Sequence, residues 1–260
     1  MKRQLINIVI CILMLTSCSI SQIEIPYTEP FDNTITADTK SFVDVAIDTT
    51  DSIYLTESTD ENIISAKLPV FNDSTIDDLI IDYVCEYFVK TTGTEFDLTC
   101  AQDSFDMDAY EYSEYYINTN YNVTYFSDEL ISITFQGMLN NKTAAHPMHL
   151  FFTLNIDRET KQRILFKNNY EINSDLYDIF SGYAKDDIID KVGEWPEEWG
   201  NFSESICSFE KFQREMNDEK TFFAYYTNDG IGISYEVPFA LGNHLEVVIP
   251  FAEIMKFEKI

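Results

Sequence analysis

Positive charge is what this chain has least of: 17 Lys and Arg stand against 45 Asp and Glu in 260 residues, a formal charge of −28. Recognition of phosphates needs a basic face, so no nucleic acid is expected as a partner. Histidine is nearly as scarce, with His146, His149 and His244 the whole supply. Positions three apart on a strand point to opposite faces, so His146 and His149 could share an ion only across a bend at Pro147, and zinc wants a third ligand as well. No metal site is assigned. Eight glycines argue against glycine-rich phosphate loops and repeats. A Gly-x-Ser-x-Gly elbow, a His-Glu-x-x-His helix and a Cys/His nucleophile signature are all missing from the sequence. The reading is therefore a non-catalytic protein without a cofactor. The alternative is a cell-wall hydrolase or metal-dependent envelope enzyme using His146 with nearby carboxylates.

Aromatic side chains, in contrast, are abundant. Twenty Phe and 16 Tyr within a 45% hydrophobic composition can supply a sizeable core, and large planar side chains pack well on a pleated surface. The surplus of negative charge keeps an extracytoplasmic protein soluble and attracts cationic partners.

Met1 to Cys18 has the form of a secretion signal. Lys2 and Arg3 precede an apolar stretch from Leu5 to Leu15, too short for a standard membrane span, and Leu15-Thr16-Ser17-Cys18 resembles the bacterial lipobox. Cleavage before Cys18 and lipidation of that cysteine would anchor the chain at the cell membrane or outer membrane, facing outwards. Each buried acyl methylene contributes roughly 0.8 kcal/mol to such an anchor. Residues 19–60 are rich in Thr, Ser, Asp and Glu, lack sustained periodicity and read as a flexible tether. The folded domain is expected over residues 61–260, divisible at about residue 170 into two subdomains.

Within that domain, Ile64 to Phe71 reads as a strand. Asp73-Ser74 then offers a helix N-cap before the apolar stripe Ile76, Leu79, Ile80, Tyr83, Val84, Tyr87 and Phe88, and Gly93 is the stop signal. Asp106 to Glu111 lacks the glycine and late bidentate Glu of a calcium loop. Period-two alternation places Tyr121, Val123 and Tyr125 on one face of a strand and Ile131, Ile133 and Phe135 on one face of the next, joined as a hairpin at Ser127 to Glu129. Met148 to Ile156 alternates again, and a short strand follows at Arg163 to Phe166. The expected fold is α+β: an antiparallel sheet meander with helices packed on one side. Leu176 to Val192 suits one or two helices, Phe209 to Met216 another. Strands at Thr221 to Tyr226, Ile231 to Val237 and Leu245 to Ile249 close the chain, the first two turned by Asn228-Asp229-Gly230.

Candidate binding residues come from two places. The segment Gly137 to Pro147 reads as a loop, with Asn140, Lys142 and His146 as candidate ligand contacts; the favoured role of His146 is a hydrogen-bonded pin for that loop rather than a direct contact. Trp195 and Trp199, four apart, could stack on a sugar ring or pack a helix end. Cys85 and Cys100 are close enough in sequence to form a disulfide, while Cys207 is left over; all three reduced is an equal alternative.

Several motifs taken together resemble a bacterial envelope domain. Asn120 to Tyr125, Leu130 to Phe135, Ala144-Ala145-His146-Pro147 and Phe152 to Asp157 follow its order and spacing, and Asn228 to Ile231, Tyr235 to Gly242 and Val247 to Phe251 resemble its closing motifs. The family includes the RsiV-like extracellular domain of a lysozyme-sensing anti-sigma factor and the non-catalytic domain of PdaC-type peptidoglycan deacetylases. The likeness spans Ile63 to Ile254. It implies an α+β fold and an extracytoplasmic binding role, with lysozyme, another cationic protein or peptidoglycan as ligand. Cleavage before Cys18 would leave no cytoplasmic sigma-binding segment, and the deacetylase's Asp and paired-His motifs have no counterpart in the sequence.

Overall fold

The computed structural model describes residues 51–59, 62–102, 114–144, 146–195, 199–219, 221–237 and 244–259. All belong to one compact unit, Val45–Ile260. The leader with Cys18, the tether up to residue 50 and the Asp106 to Glu111 segment lie outside the described residues.

Two sheets organise the unit. The larger has seven strands: β1 (Ser52–Ser58), β2 (Asn62–Pro69), β3 (Thr99–Ala101), β4 (Tyr115–Phe126), β5 (Leu130–Asn141), β6 (Met148–Asp157) and β7 (Gln162–Arg163), in the spatial order β3-β1-β2-β4-β5-β6-β7. The smaller holds β8 (Phe222–Tyr226), β9 (Gly230–Glu236) and β10 (His244–Pro250), in the order β10-β9-β8. The α+β class and the β4 to β7 meander are as expected from the sequence. One pairing differs: β2 runs parallel to β4, with Ile64 opposite Ile117, because the chain between them crosses through helix α1 (Ser74–Thr92).

Helix α1 forms where its cap signals lie. The Asp73 side chain accepts from the Thr75 and Ile76 amides, and Gly93 closes the helix at φ 72°, a left-handed conformation in which glycine carries no Cβ penalty. Lys161 reaches back to Asp73 at 2.7 Å, and that hydrogen bond holds the Asp73 carboxyl below its usual pKa. Ile76, Ile80, Tyr83, Val84 and Phe88 turn inwards onto the large sheet. Phe152 is the hub of this first core. Its ring stacks on Tyr87 at 3.8 Å and on Phe135 at 4.8 Å, with Phe88 edge-on at 6.4 Å.

Strand β1 corrects the tether boundary, since Ser52–Ser58 pairs with β2 along its whole length and the fold begins before residue 61. Leu55 is 1% exposed, so this short run earns its place by burial although its neighbours are polar. The hairpin β4-β5 also departs from simple alternation. A bulge between Val123 and Tyr125 shifts the register, so Tyr125 pairs with Ser132 and Phe126 with Ile131. One extra residue reverses the parity: Tyr121, Val123 and Phe126 join the first core, while Tyr125 leans on Tyr226 on the opposite face.

The second core lies between the small sheet and the helices α2 (Phe166–Asn169), α3 (Ser174–Val192), α4 (Phe202–Ser205), α5 (Phe209–Asp218) and α6 (Phe251–Ile254). Phe180 of α3 is its centre, stacked on Phe212 at 4.8 Å and edge-on to Tyr235 at 5.1 Å. Strand β8 serves both cores: Phe222 and Ala224 face the second, Phe223 and Tyr225 the first.

The sheets meet through side chains on the far face of the large one. Thr153 Oγ1 and Asn155 Nδ2 both donate to the Ala224 carbonyl, at 2.9 and 2.8 Å, and the Tyr226 amide donates to Ser132 Oγ at 2.9 Å. Ser132 Oγ in turn donates to Asn155 Oδ1 at 2.7 Å. All three polar side chains are buried. Hydroxyl and amide groups thus complete the backbone of β8 where no further strand pairs with it.

Two substitutions separate these contributions. Phe152→Ala is expected to cost about 3–5 kcal/mol through the cavity it leaves, read as a lowered midpoint in denaturant unfolding. Ser132→Ala is expected to cost about 1–3 kcal/mol, because it strips a partner from the Tyr226 amide and from Asn155 at once.

Candidate functional site

Alternation along the large sheet sorts its side chains into a core face under α1 and a polar far face. On the far face, cross-strand pairing lines up Ser65, Asn118, Met138 and His149 in one row, and Gln136 with Asn120 and Phe151 in the next. Tyr54 lies opposite Lys67 on the adjoining strands. The β8 backbone docks on this face at Ser132, Thr153 and Asn155, and the Tyr225 ring packs on Phe151. Beyond them it opens into a cleft edged by the small sheet.

Two cavities make up the cleft and share His149, Leu150 and His244. The larger, about 580 Å³, is lined by Tyr54, Ser65, Lys67, Asn118, Asn120 and Gln136, among others. The smaller, about 320 Å³, runs between Tyr87, Lys90 and Thr91 of α1 and Ser234, Glu236 and His244 of the small sheet. Both volumes fall in the range of ligand pockets. Thr119, Gly137 and Leu150 lie in register on the core-face parity, so the lining they give the larger cavity is main chain. Met138 and Met148, 40% and 42% exposed, add flexible apolar surface.

His244 lines both cavities and is held from two sides. Its ring lies 5.0 Å from that of Phe151, Nε2 faces Glu246 Oε1 at 3.7 Å, and Nδ1 is buried without a hydrogen-bond partner. Glu246 is itself fixed by the Tyr225 hydroxyl, which donates to Oε2 at 2.6 Å. Burial and that carboxylate push the Tyr225 phenol far above its ordinary pKa, so it stays a donor. Tyr225 is positioned by a glycine opposite: a Cβ on Gly232 would come within 2.2 Å of its ring. Burial likewise raises Tyr87, a neutral wall of the smaller cavity. Glu219 at its edge is paired with Arg163.

The residues singled out from the sequence fall in different places. Strand β5 extends to Asn141, so Gly137 is a ladder residue between Thr119 and Leu150 and the connection to β6 is shorter than Gly137 to Pro147. Asn140 pairs with Tyr116 at the end of that ladder, and Lys142 and His146 are exposed on the connection, outside the lining of either cavity. His149, three residues further on, lines both cavities. Trp195 and Trp199 pack edge to face at 5.5 Å against the second core, with Trp195 Nε1 donating to the Gly200 carbonyl. They are not part of the cleft lining. Among the described residues, no three His, Cys, Asp or Glu side chains cluster as a metal would require, and no helix is long and apolar enough to cross a membrane.

Cys85, half-buried on α1, and Cys100, exposed on β3, are free thiols, as is buried Cys207. Cys100 stands close enough to Cys85 to help raise its pKa, after burial and Asp82.

No known family model and no curated protein matches the chain. Solved structures similar to it include a member of the DUF3298 family from Bacteroides fragilis, at 14% identity and a TM-score of 0.48 over 81% of this chain and 93% of that one. A DUF3298 family protein from Pseudomonas aeruginosa aligns at 15% identity and a TM-score of 0.48, over 80% and 91%.

The thiols give a direct check on this geometry. Burial pushes the Cys207 thiol up to about 11, so its reactive thiolate is scarce at neutral pH and grows only as pH approaches that value. Maleimide at pH 7.5 is expected to label Cys100 and to reach Cys207 only after denaturation, with labelled peptides identified by mass spectrometry. Labelling of Cys85 and Cys100 that appears only after reduction would show them bridged.

Proposed function

We propose that this chain is a lipid-anchored, non-catalytic envelope protein whose domain binds a cell-wall glycan in the cleft between its two sheets. The observation that carries the reading is the lining of the larger cavity: amides of Asn118, Asn120 and Gln136, the Ser65 hydroxyl, and the aromatic ring of Tyr54. Amides and hydroxyls both donate and accept, as sugar hydroxyls and acylamino groups require, and an aromatic ring offers an apolar face to a pyranose. The lipobox at Cys18 and the tether after it would place that cleft at the envelope surface.

Purified full-length protein is expected to sediment with isolated peptidoglycan sacculi, and Asn118→Ala with Gln136→Ala is expected to reduce the bound fraction several-fold without lowering the thermal midpoint. Retention undiminished in the double variant would overturn the assignment of the cleft.

A second reading rests on the formal charge of −28, which attracts cationic proteins such as lysozyme. That association uses exposed carboxylates and weakens as salt screens them. Titration with lysozyme at low and moderate ionic strength separates the two: binding at low salt that weakens at moderate salt supports it, and no binding in either removes it.

A further inference from the structure

We infer that the cleft selects a saccharide bearing a carboxylate, with Lys67 as the residue that reads the charge; this rests on the glycan reading above and narrows it. The starting point is an asymmetry. A chain with 45 acidic and 17 basic side chains places no Asp or Glu among the described residues lining its larger cavity, and places Lys67, His149 and His244 there. The carboxylates near the cleft stand elsewhere: Glu219 and Glu236 line the smaller cavity, and Glu246 is bound to Tyr225.

The donors of the larger cavity are arranged for an anion. Lys67 lies on the far face of β2 opposite Tyr54, and its main-chain neighbours Ala66 and Leu68 are buried in the core, which fixes the strand beneath it. Asn120 Oδ1 accepts from the Tyr121 amide at 3.0 Å, which leaves the Asn120 amide nitrogen to donate. An ammonium and an amide N–H on neighbouring strands suit two oxygens of one carboxylate. Charge is thus met from β2, and sugar hydroxyls from the amides of β4 and β5.

The test compares two disaccharides by calorimetry on the full-length protein: N-acetylglucosaminyl-N-acetylmuramic acid with its lactyl carboxylate free, and neutral diacetylchitobiose. The acidic sugar is expected to bind about tenfold more tightly, the scale of one charge-assisted hydrogen bond. Lys67→Gln should bring the ratio close to one while affinity for the neutral sugar is kept, and Asn120→Asp should favour the neutral sugar. Thermal midpoints equal to wild type show that both variants are folded; should Lys67→Gln be unstable, Asn120→Asp alone decides. Equal affinity of the wild-type protein for both sugars overturns the carboxylate inference and leaves the glycan reading standing. Binding of neither overturns both.

Discussion

The Ala224 carbonyl, held by Thr153 and Asn155, is the point on which the arrangement of the molecule turns. A strand whose backbone faces another sheet rather than another strand must find partners for its polar groups, and here the large sheet supplies them from side chains. Those same contacts set how far the small sheet reaches over the polar face. Around Ser132, Thr153 and Asn155 the face is sealed; towards Asn118, Gln136 and His149 it stays open. The cleft is what the docking leaves uncovered, so the polar residues that bind the sheets and those that line the cleft belong to one face of one surface.

The cleft has two chemical halves. Near α1 it is walled by Tyr87, Lys90 and Glu236, and towards β1 and β2 by amides, hydroxyls and Lys67. His149 and His244 stand at the junction, the latter oriented by Glu246 and Phe151. Since Glu246 is itself fixed by Tyr225, and Tyr225 lies against Gly232, the orientation of one imidazole is secured by three strands of the small sheet. Such relayed support holds a side chain of the cleft in place from a distance.

Much of the fold was legible in the sequence because its signals are local. The Asp73 cap, the Gly93 stop and the stripe from Ile76 to Phe88 define α1, and alternation marks β5, β6 and β9. What escaped is non-local. The bulge before Tyr125 has no signature of its own, and Ser52–Ser58 becomes a strand because β2 and β3 are available to flank it. The cleft escaped for the same reason. His146 and Lys142 attract attention beside Pro147, whereas Asn118, Asn120 and Gln136 are exposed and read as an ordinary solvent face; only the approach of His244 from the small sheet makes a cavity of it. Polar amides at alternate positions of two paired strands were the available signal.

Strand β8 carries a consequence for how the molecule comes apart. Five residues supply alternate side chains to two separate cores, Phe222 and Ala224 to one and Phe223 and Tyr225 to the other. Neither core can release the strand without exposing apolar surface of its neighbour. Two halves that could each have melted alone are thereby coupled into a single cooperative transition, and the cleft between them exists only while both are folded.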